Sequence, residues 1–303
     1  GAAARGAGGR PSGATRTRPA KEHINMKEAE AKFKVVLGQL YIPKTPTWSK
    51  ARVDRYVVNK QAPDCKYLNA AQAPKAFDAF PDADLTPTYR TCAVVGNGGV
   101  NLLNEWGASI DAHDAVFRFN DGPTLGFEKV VGAKTTFRIT NNAWSRYWTK
   151  KRPKGASEEN LLLFGMGSAR FVKSLHTLWS PEGVNTYFMA PEFAGNARGM
   201  YKKAFLLMEK EGILKVRGRN SPPTGIEGVF FAVGMCDKVH VYGFNIDTEP
   251  EVPYHYHDKV RGVEAAHSFG FQGLFLKMLS TSGTFNICVP GLADPDCGAM
   301  HTA

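Results

Sequence analysis

Three of the eight histidines sit in patterns that could do chemistry. His255 and His257 belong to Tyr254-His255-Tyr256-His257-Asp258, and His267 precedes an apolar run at helical spacing, Phe271, Leu274, Phe275, Met278 and Leu279. An imidazole that titrates near neutrality can take a proton from a hydroxyl, or neutralise charge that grows on a departing phosphate. His267 is in phase with the apolar face, so a packed core histidine is its alternative reading. A His-x-His pair also suggests a metal, although two imidazoles without assured partners do not by themselves make a site. Asp82-Ala83-Asp84 and Asp294-Pro295-Asp296 have Asp-x-Asp spacing but lie in proline-rich stretches and read as surface turns.

The second group of candidates surrounds glycine. Cys92 to Val95 reads as a strand that runs into Gly96-Asn97-Gly98-Gly99, where backbone amides can approach a phosphate or ribose. The sixth position of a dinucleotide fingerprint is Asn101 rather than Gly, which argues against an oxidoreductase. No Gly-Lys-Ser/Thr follows, so a P-loop is absent. Thr224 and Glu227 have capping-box spacing, which would start a helix at Thr224, and a helix start suits an anion. Gly243 follows a further strand and would let a ligand, or only a turn, come close.

These residues need elements to hold them. Short apolar runs at Ala115–Phe119, Leu161–Phe164 and Val239–Tyr242 read as strands, and Lys202–Glu211 reads as a helix. Strands alternating with helices predict an α/β fold, a single Rossmann-like domain with a mostly parallel sheet. Residues 1–25 are rich in Gly, Ala, Arg and Thr and read as a flexible basic stem; residues 26–303 are expected to form the catalytic domain. Lys27–Gln39 has helical spacing, and 60–90 is broken by prolines into loops and short helices.

The formal net charge is +10, but Arg5, Arg10, Arg16, Arg18 and Lys21 lie in the first 21 residues without an acid, so the body is only mildly basic. No basic stretch interleaved with aromatics occurs, so nucleic acid is not an expected partner. Hydrophobic residues make up 43%, enough for one substantial core, yet no run of 18 apolar residues could span a membrane. The sequence opens on Gly1 rather than Met, so the expectation is a membrane anchor that lies outside it. None of the five cysteines forms a Cys-x-x-Cys pair.

The stretch Cys92-Ala-Val-Val-Gly96-Asn97-Gly98-Gly99 continues through Gly107-Ala-Ser-Ile-Asp111-Ala-His113-Asp114, Val116-Phe-Arg118-Phe-Asn120-Asp-Gly-Pro123 and Val131-Gly132-Ala-Lys-Thr135-Thr136. Without a gap, it resembles the long sialylmotif of the eukaryotic sialyltransferases, glycosyltransferase family 29. Pro222-Pro223-Thr224-Gly225, with Cys236-Asp237 and Tyr242-Gly243-Phe244, resembles the short motif. His255-Tyr256-His257-Asp258 resembles the third, and His267 the last. Two positions depart from the pattern: Pro223 stands where Ser or Thr is usual, and Gln272 stands in place of Glu.

The resemblance implies a variant GT-A fold and inverting transfer of sialic acid from a CMP-sugar to an acceptor hydroxyl on a glycoprotein or glycolipid glycan. It implies that Asn97, Asn120, Thr224, Gly225 and Gly243 contact the donor, that His255 binds its phosphate and that His267 is the base. It implies a Cys92–Cys236 disulfide, no metal or other cofactor, and a Golgi-lumenal type II membrane protein. Cys288 and Cys297 are near enough to pair, or either could reach Cys65. A Kdo-type CMP-sugar donor remains an alternative, as does a CMP-sugar-binding protein with little activity.

Overall fold

A computed structural model describes residues 77–86, 88–150, 157–212, 218–246, 252–260 and 267–290, together with residues 27, 31, 33, 34, 47, 49, 50 and 297. Within them lie seven strands: β1 (Tyr89–Val95), β2 (Ala115–Phe119), β3 (Phe137–Thr140), β4 (Asn160–Leu163), β5 (Asn185–Phe188), β6 (Cys236–Tyr242) and β7 (Asn286–Ile287). The helices are α1 (Gly107–Asp111), α2 (Glu128–Val131), α3 (Asn142–Trp148), α4 (Val172–Trp179), α5 (Pro191–Lys210), α6 (Thr224–Met235) and α7 (Phe269–Thr281). The strands form one sheet in the order β5-β4-β3-β2-β1-β6-β7, and every pairing is parallel. This is the α/β Rossmann-like fold that the alternation predicts.

The sheet is covered on both faces, which is why its inner strands read as continuous apolar runs rather than alternating ones. Successive residues of β1 serve opposite cores: Cys92 and Val94 face one cluster, Ala93 and Val95 the other. α6 is apolar all round and lies against the sheet, with Ile226, Val229, Phe230, Phe231, Ala232 and Met235 buried. The Phe231 ring meets Phe117 and Phe137 at 6.1 Å, and those two stack on each other at 4.9 Å.

β2, β4 and β6 coincide with expected strands to within a few residues, whereas β3, β5 and β7 were not expected. The helix expected at Lys202–Glu211 is the second half of α5, which starts with Pro191 at its first position. Gly195 and Gly199 lower helix propensity in the first half and mask the pattern. Of the expected helix Lys27–Gln39, residues 27, 31, 33 and 34 are helical, and Phe33 packs edge-on against Phe275 at 5.5 Å. Residues 1–25, Cys65 and Asp294-Pro295-Asp296 lie outside the described residues.

Cys92 is bonded to Cys236 across the β1–β6 pair, with a Cα–Cα distance of 6.1 Å and a sequence separation of 144. Cys288 is bonded to Cys297, Cα–Cα 5.6 Å, which settles the alternatives that the sequence left open. Closing so long a loop restricts the unfolded chain. A Cys92→Ala, Cys236→Ala double variant is therefore expected to lose about 3–5 kcal/mol of stability. Chemical denaturation under non-reducing conditions reads the loss, and an unchanged midpoint would refute it.

Candidate active site

Strand order reverses at β1: the chain leaves it for β2 on one side, and β6 comes to lie on the other. In open parallel sheets the ligand crevice lies outside the strand C-termini at such a switch point. Two turns meet there. Gly96 N–H donates to Tyr242 O at 2.8 Å, and Gly98 N–H donates to Gly243 O at 3.0 Å. A Cβ on Gly96 or on Gly98 would lie 2.6 Å from Gly243 O. Asn101, in place of a third fingerprint glycine, closes the turn by donating from Nδ2 to the carbonyls of Gly96 and Gly98, at 2.8 and 3.0 Å.

Gly243 has φ of +72°, and a Cβ on it would meet Asn101 Nδ2 at 2.3 Å. The sequence allowed a ligand or a turn to explain Gly243. The structure fills its open side with Asn101 and Gly96. Gly225 is similar, since a Cβ there would meet the Phe244 ring at 2.6 Å. Both glycines let protein pack at the site; any donor contact they make is through the backbone.

Asn97 follows β1 and donates from Nδ2 to Phe119 O at 3.2 Å, which ties the first turn to the end of β2. Asn120 follows β2 with φ of +49°, and it is the one non-glycine residue with positive φ among the described residues. Asn tolerates this left-handed conformation better than most residues. Its Oδ1 accepts from Asn141 N–H at 3.3 Å, and Asn141 Nδ2 lies 3.5 Å from Thr224 Oγ1. Arg138 of β3, buried and ion-paired with Glu158, donates from Nη1 to Gly122 O at 2.7 Å and Asn120 O at 3.3 Å. The Asn120 turn is thus held from below by a buried guanidinium. Arg138 and Asn141 were not found from sequence. The available signal was a charge inside the apolar run Phe137-Arg138-Ile139, followed by the Asn141 cap of α3.

α6 does begin at Thr224, but the capping box does not form. Thr224 is the first helical residue and Pro223 occupies the cap position without a side-chain bond. Glu227 turns inward instead, 0% exposed, with its Oε1 3.4 Å from Arg198 Nε. Burial pushes its carboxyl up to about 8, only partly offset by Arg198.

The segment 252–260 lies along the glycine turn. His255 forms an antiparallel bridge with Gly98, and Tyr256 N–H donates to Asn97 O at 3.0 Å. Tyr256 points inward, where its hydroxyl donates to Pro123 O at 2.5 Å. His255 Nδ1 lies 2.9 Å from Asp258 Oδ2. Burial pushes Asp258 upward, but the His255 hydrogen bond and the two neighbouring imidazoles outweigh it and hold the carboxyl below its ordinary range.

His267 is only partly buried and sits ahead of α7, outside the helix's buried face, so it is not a core histidine. Its Nδ1 lies 3.0 Å from Ser221 O, just before α6. Aromatic rings join the two histidines: Tyr254 lies 4.3 Å from the His255 ring and 5.4 Å from Phe269, which lies 6.2 Å from His267. Asn97, Asn120, Thr224, His255 and His267 are thereby linked around one crevice. Asp82 instead pairs with Lys50 at 2.6 Å on an exposed loop before β1. His255, His257 and Asp258 are the one group among the described residues whose ligand atoms could converge on a metal ion.

The model of glycosyltransferase family 29 (sialyltransferase) matches residues 47–284. The chain belongs to that family. Human beta-galactoside alpha-2,6-sialyltransferase 2 is 28% identical over 272 residues, covering 83% of this chain and 50% of that protein. Rat CMP-N-acetylneuraminate-beta-1,4-galactoside alpha-2,3-sialyltransferase is 33% identical over 193 residues, covering 57% of this chain and 49% of that protein. The chain thus spans about half the length of these sialyltransferases. The crystal structure of a mammalian sialyltransferase superposes with a TM-score of 0.59 at 20% identity, covering 90% of this chain and 99% of that one, and so shares the fold. No helix among the described residues is long and apolar enough to cross a membrane.

Within this family site, Glu227 carries a pH signature. Its folded pKa, about 8, lies above the ordinary 4.5, so the folded state prefers the protonated form. Its contribution is intact below pH ~4.5 and is lost as pH rises through about 8, where ionisation in the unfolded chain draws the equilibrium away from the fold. Glu227→Gln removes this dependence. Melting temperatures of variant and wild type, measured from pH 4.5 to 8.5, should diverge in the variant's favour as pH rises; parallel curves would show that Glu227 is already ionised in the fold.

Proposed function

We propose that the chain is an inverting transferase that moves sialic acid from CMP-sialic acid to a hydroxyl of a galactose-containing glycan. The observation that carries this is the arrangement around the Ser221 carbonyl and the glycine turn. Two histidines, each with one nitrogen already engaged, flank the crevice at the switch point of a family 29 sheet.

His267 suits the general base. The Ser221 carbonyl accepts from Nδ1–H, which fixes the tautomer with an unprotonated Nε2. That nitrogen takes the acceptor proton as the hydroxyl attacks the anomeric carbon through an oxocarbenium-like state, and the carbonyl then stabilises the imidazolium. His255 suits the leaving group. With Nδ1 engaged beside Asp258, the ring turns Nε2 toward the donor phosphate as CMP departs. Asn97 Nδ2 and Asn120 Oδ1 are engaged within the protein, so Asn97 Oδ1 and Asn120 Nδ2 are the atoms left to read cytidine and ribose, and the start of α6 at Thr224 and Gly225 adds backbone N–H groups.

A single donor phosphate met by protein groups needs no cation in this reading. Gln272 carries an Oε1 that is buried without a hydrogen bond, so the amide does not replace what a carboxylate could do for a neighbour. Two disulfides fit folding in an oxidising lumen such as that of the Golgi. The curated relatives' names point to a galactoside acceptor and CMP-N-acetylneuraminate as donor.

His267→Ala is expected to reduce transfer by ~10²–10⁴-fold while fold and CMP affinity stay unchanged. Asn120→Ala should weaken CMP binding in EDTA by calorimetry. The assay is CMP release from a panel of CMP-sugars, including CMP-Kdo, with and without galactosides. A folded His267→Ala chain with near-normal transfer would refute the assignment, and so would CMP binding that vanishes in EDTA.

A further inference from the structure

His257 has no part in the transfer just described, yet its placement is specific. Residues two apart on an extended segment share a face, and the bridge to Gly98 keeps 255–257 extended. The His255 and His257 rings therefore lie parallel, 5.0 Å apart, with Tyr256 directed the other way. Both rings aim a nitrogen at one oxygen: Asp258 Oδ2 is 2.9 Å from His255 Nδ1 and 3.4 Å from His257 Nε2. Asp121, next to the donor-site Asn120, brings its Oδ2 to 3.9 Å from His257 Nε2.

The His257 side chain is only 7% exposed, and neither ring nitrogen makes a hydrogen bond. A buried imidazole without a hydrogen bond is costly unless something takes its lone pair. His255 and Asp258 are about a quarter exposed, which leaves a path for entry.

We propose that His255 Nδ1, His257 Nε2 and Asp258 Oδ2 supply three protein ligands to one zinc-type divalent cation at the mouth of the crevice, with water in the fourth position. Zinc bonds of ~2.0–2.2 Å in a tetrahedron place ligand atoms about 3.3–3.5 Å from one another. Asp258 Oδ2 lies 2.9 and 3.4 Å from the two ring nitrogens, close to that edge, and all three ligand atoms fall within 4.8 Å of one another. Two imidazoles and carboxylate oxygens suit zinc rather than magnesium or calcium, which take oxygen ligands. Occupancy leaves His255 Nε2 free, so the cation would brace the 252–260 segment without occupying the donor's place.

The test uses the untagged full chain, stripped with EDTA and desalted, with no nucleotide present, so its outcome does not depend on sugar transfer. Zinc calorimetry should give one saturable site. Cobalt should give the intense visible bands of a four-coordinate ion without a thiolate charge-transfer band. His257→Phe, which keeps a ring for stacking, and Asp258→Asn should each weaken zinc by more than about 100-fold, beyond the ~10–100-fold typical of an outer-shell partner. Circular dichroism checks that both variants fold, and the exposed Asp258→Asn carries the test if His257→Phe does not. No saturable zinc, a thiolate band, or full affinity in a folded variant of either kind would overturn the site.

Discussion

The contact on which the site depends is between two backbones. The turn after β1 and the turn after β6 touch through Gly96, Gly98 and Gly243, at distances that leave no room for a side chain. That contact places the ends of two neighbouring strands side by side, and the crevice follows from it. Asn97 is aimed by the first turn, and Gly98 gives His255 its bridge. Asn101 seals the arrangement with two hydrogen bonds to the same turn.

The polar half of the site is held from inside the sheet. Arg118 on β2 is 2% exposed and donates to Lys134 O, Thr135 Oγ1 and Val131 O. Arg138 on β3 pairs with Glu158 and grips the Asn120 turn. Buried charges of this kind add little net stability once desolvation is counted, but they tolerate few alternative geometries. Their effect here is to fix turns that must present amides to a ligand.

Much of this was legible in the sequence, and the exceptions have physical causes. β1, β2 and β6 read clearly because each holds at least four consecutive buried residues that are mostly apolar, Cys92–Val95, Ala115–Phe119 and Val239–Tyr242. β3 and β5 escaped because they are four residues long and carry Arg138, or Asn185 and Thr186, in the run. The disulfide Cys92–Cys236 came from the motif resemblance; no spacing rule could give a pairing 144 residues apart. The Thr224–Glu227 spacing matched a capping box, but a local pattern cannot foresee that Glu227 is buried beside Arg198 of α5. His267 lay in phase with α7, and only the helix start at Phe269 shows that it stands outside the helix. Arg138 and Asn141 act on residues distant in sequence, so the local signal, a charge in an apolar run and a helix-cap Asn, does not say what they hold.

The sheet's connectivity also sets the order in which the chain can assemble during synthesis. β1 to β5 follow one another in sequence and can pair as they emerge, since each neighbour is recent. The other edge of β1 has no partner until residues 236–242 are made. For that interval a buried-type strand, Cys92-Ala-Val-Val, presents an open apolar edge with a free thiol. Such an edge is a template for pairing with other nascent chains. Long-range parallel pairing is also slow. Until β6 arrives this edge stays open, and a chain truncated before Cys236 would leave it permanently unpaired.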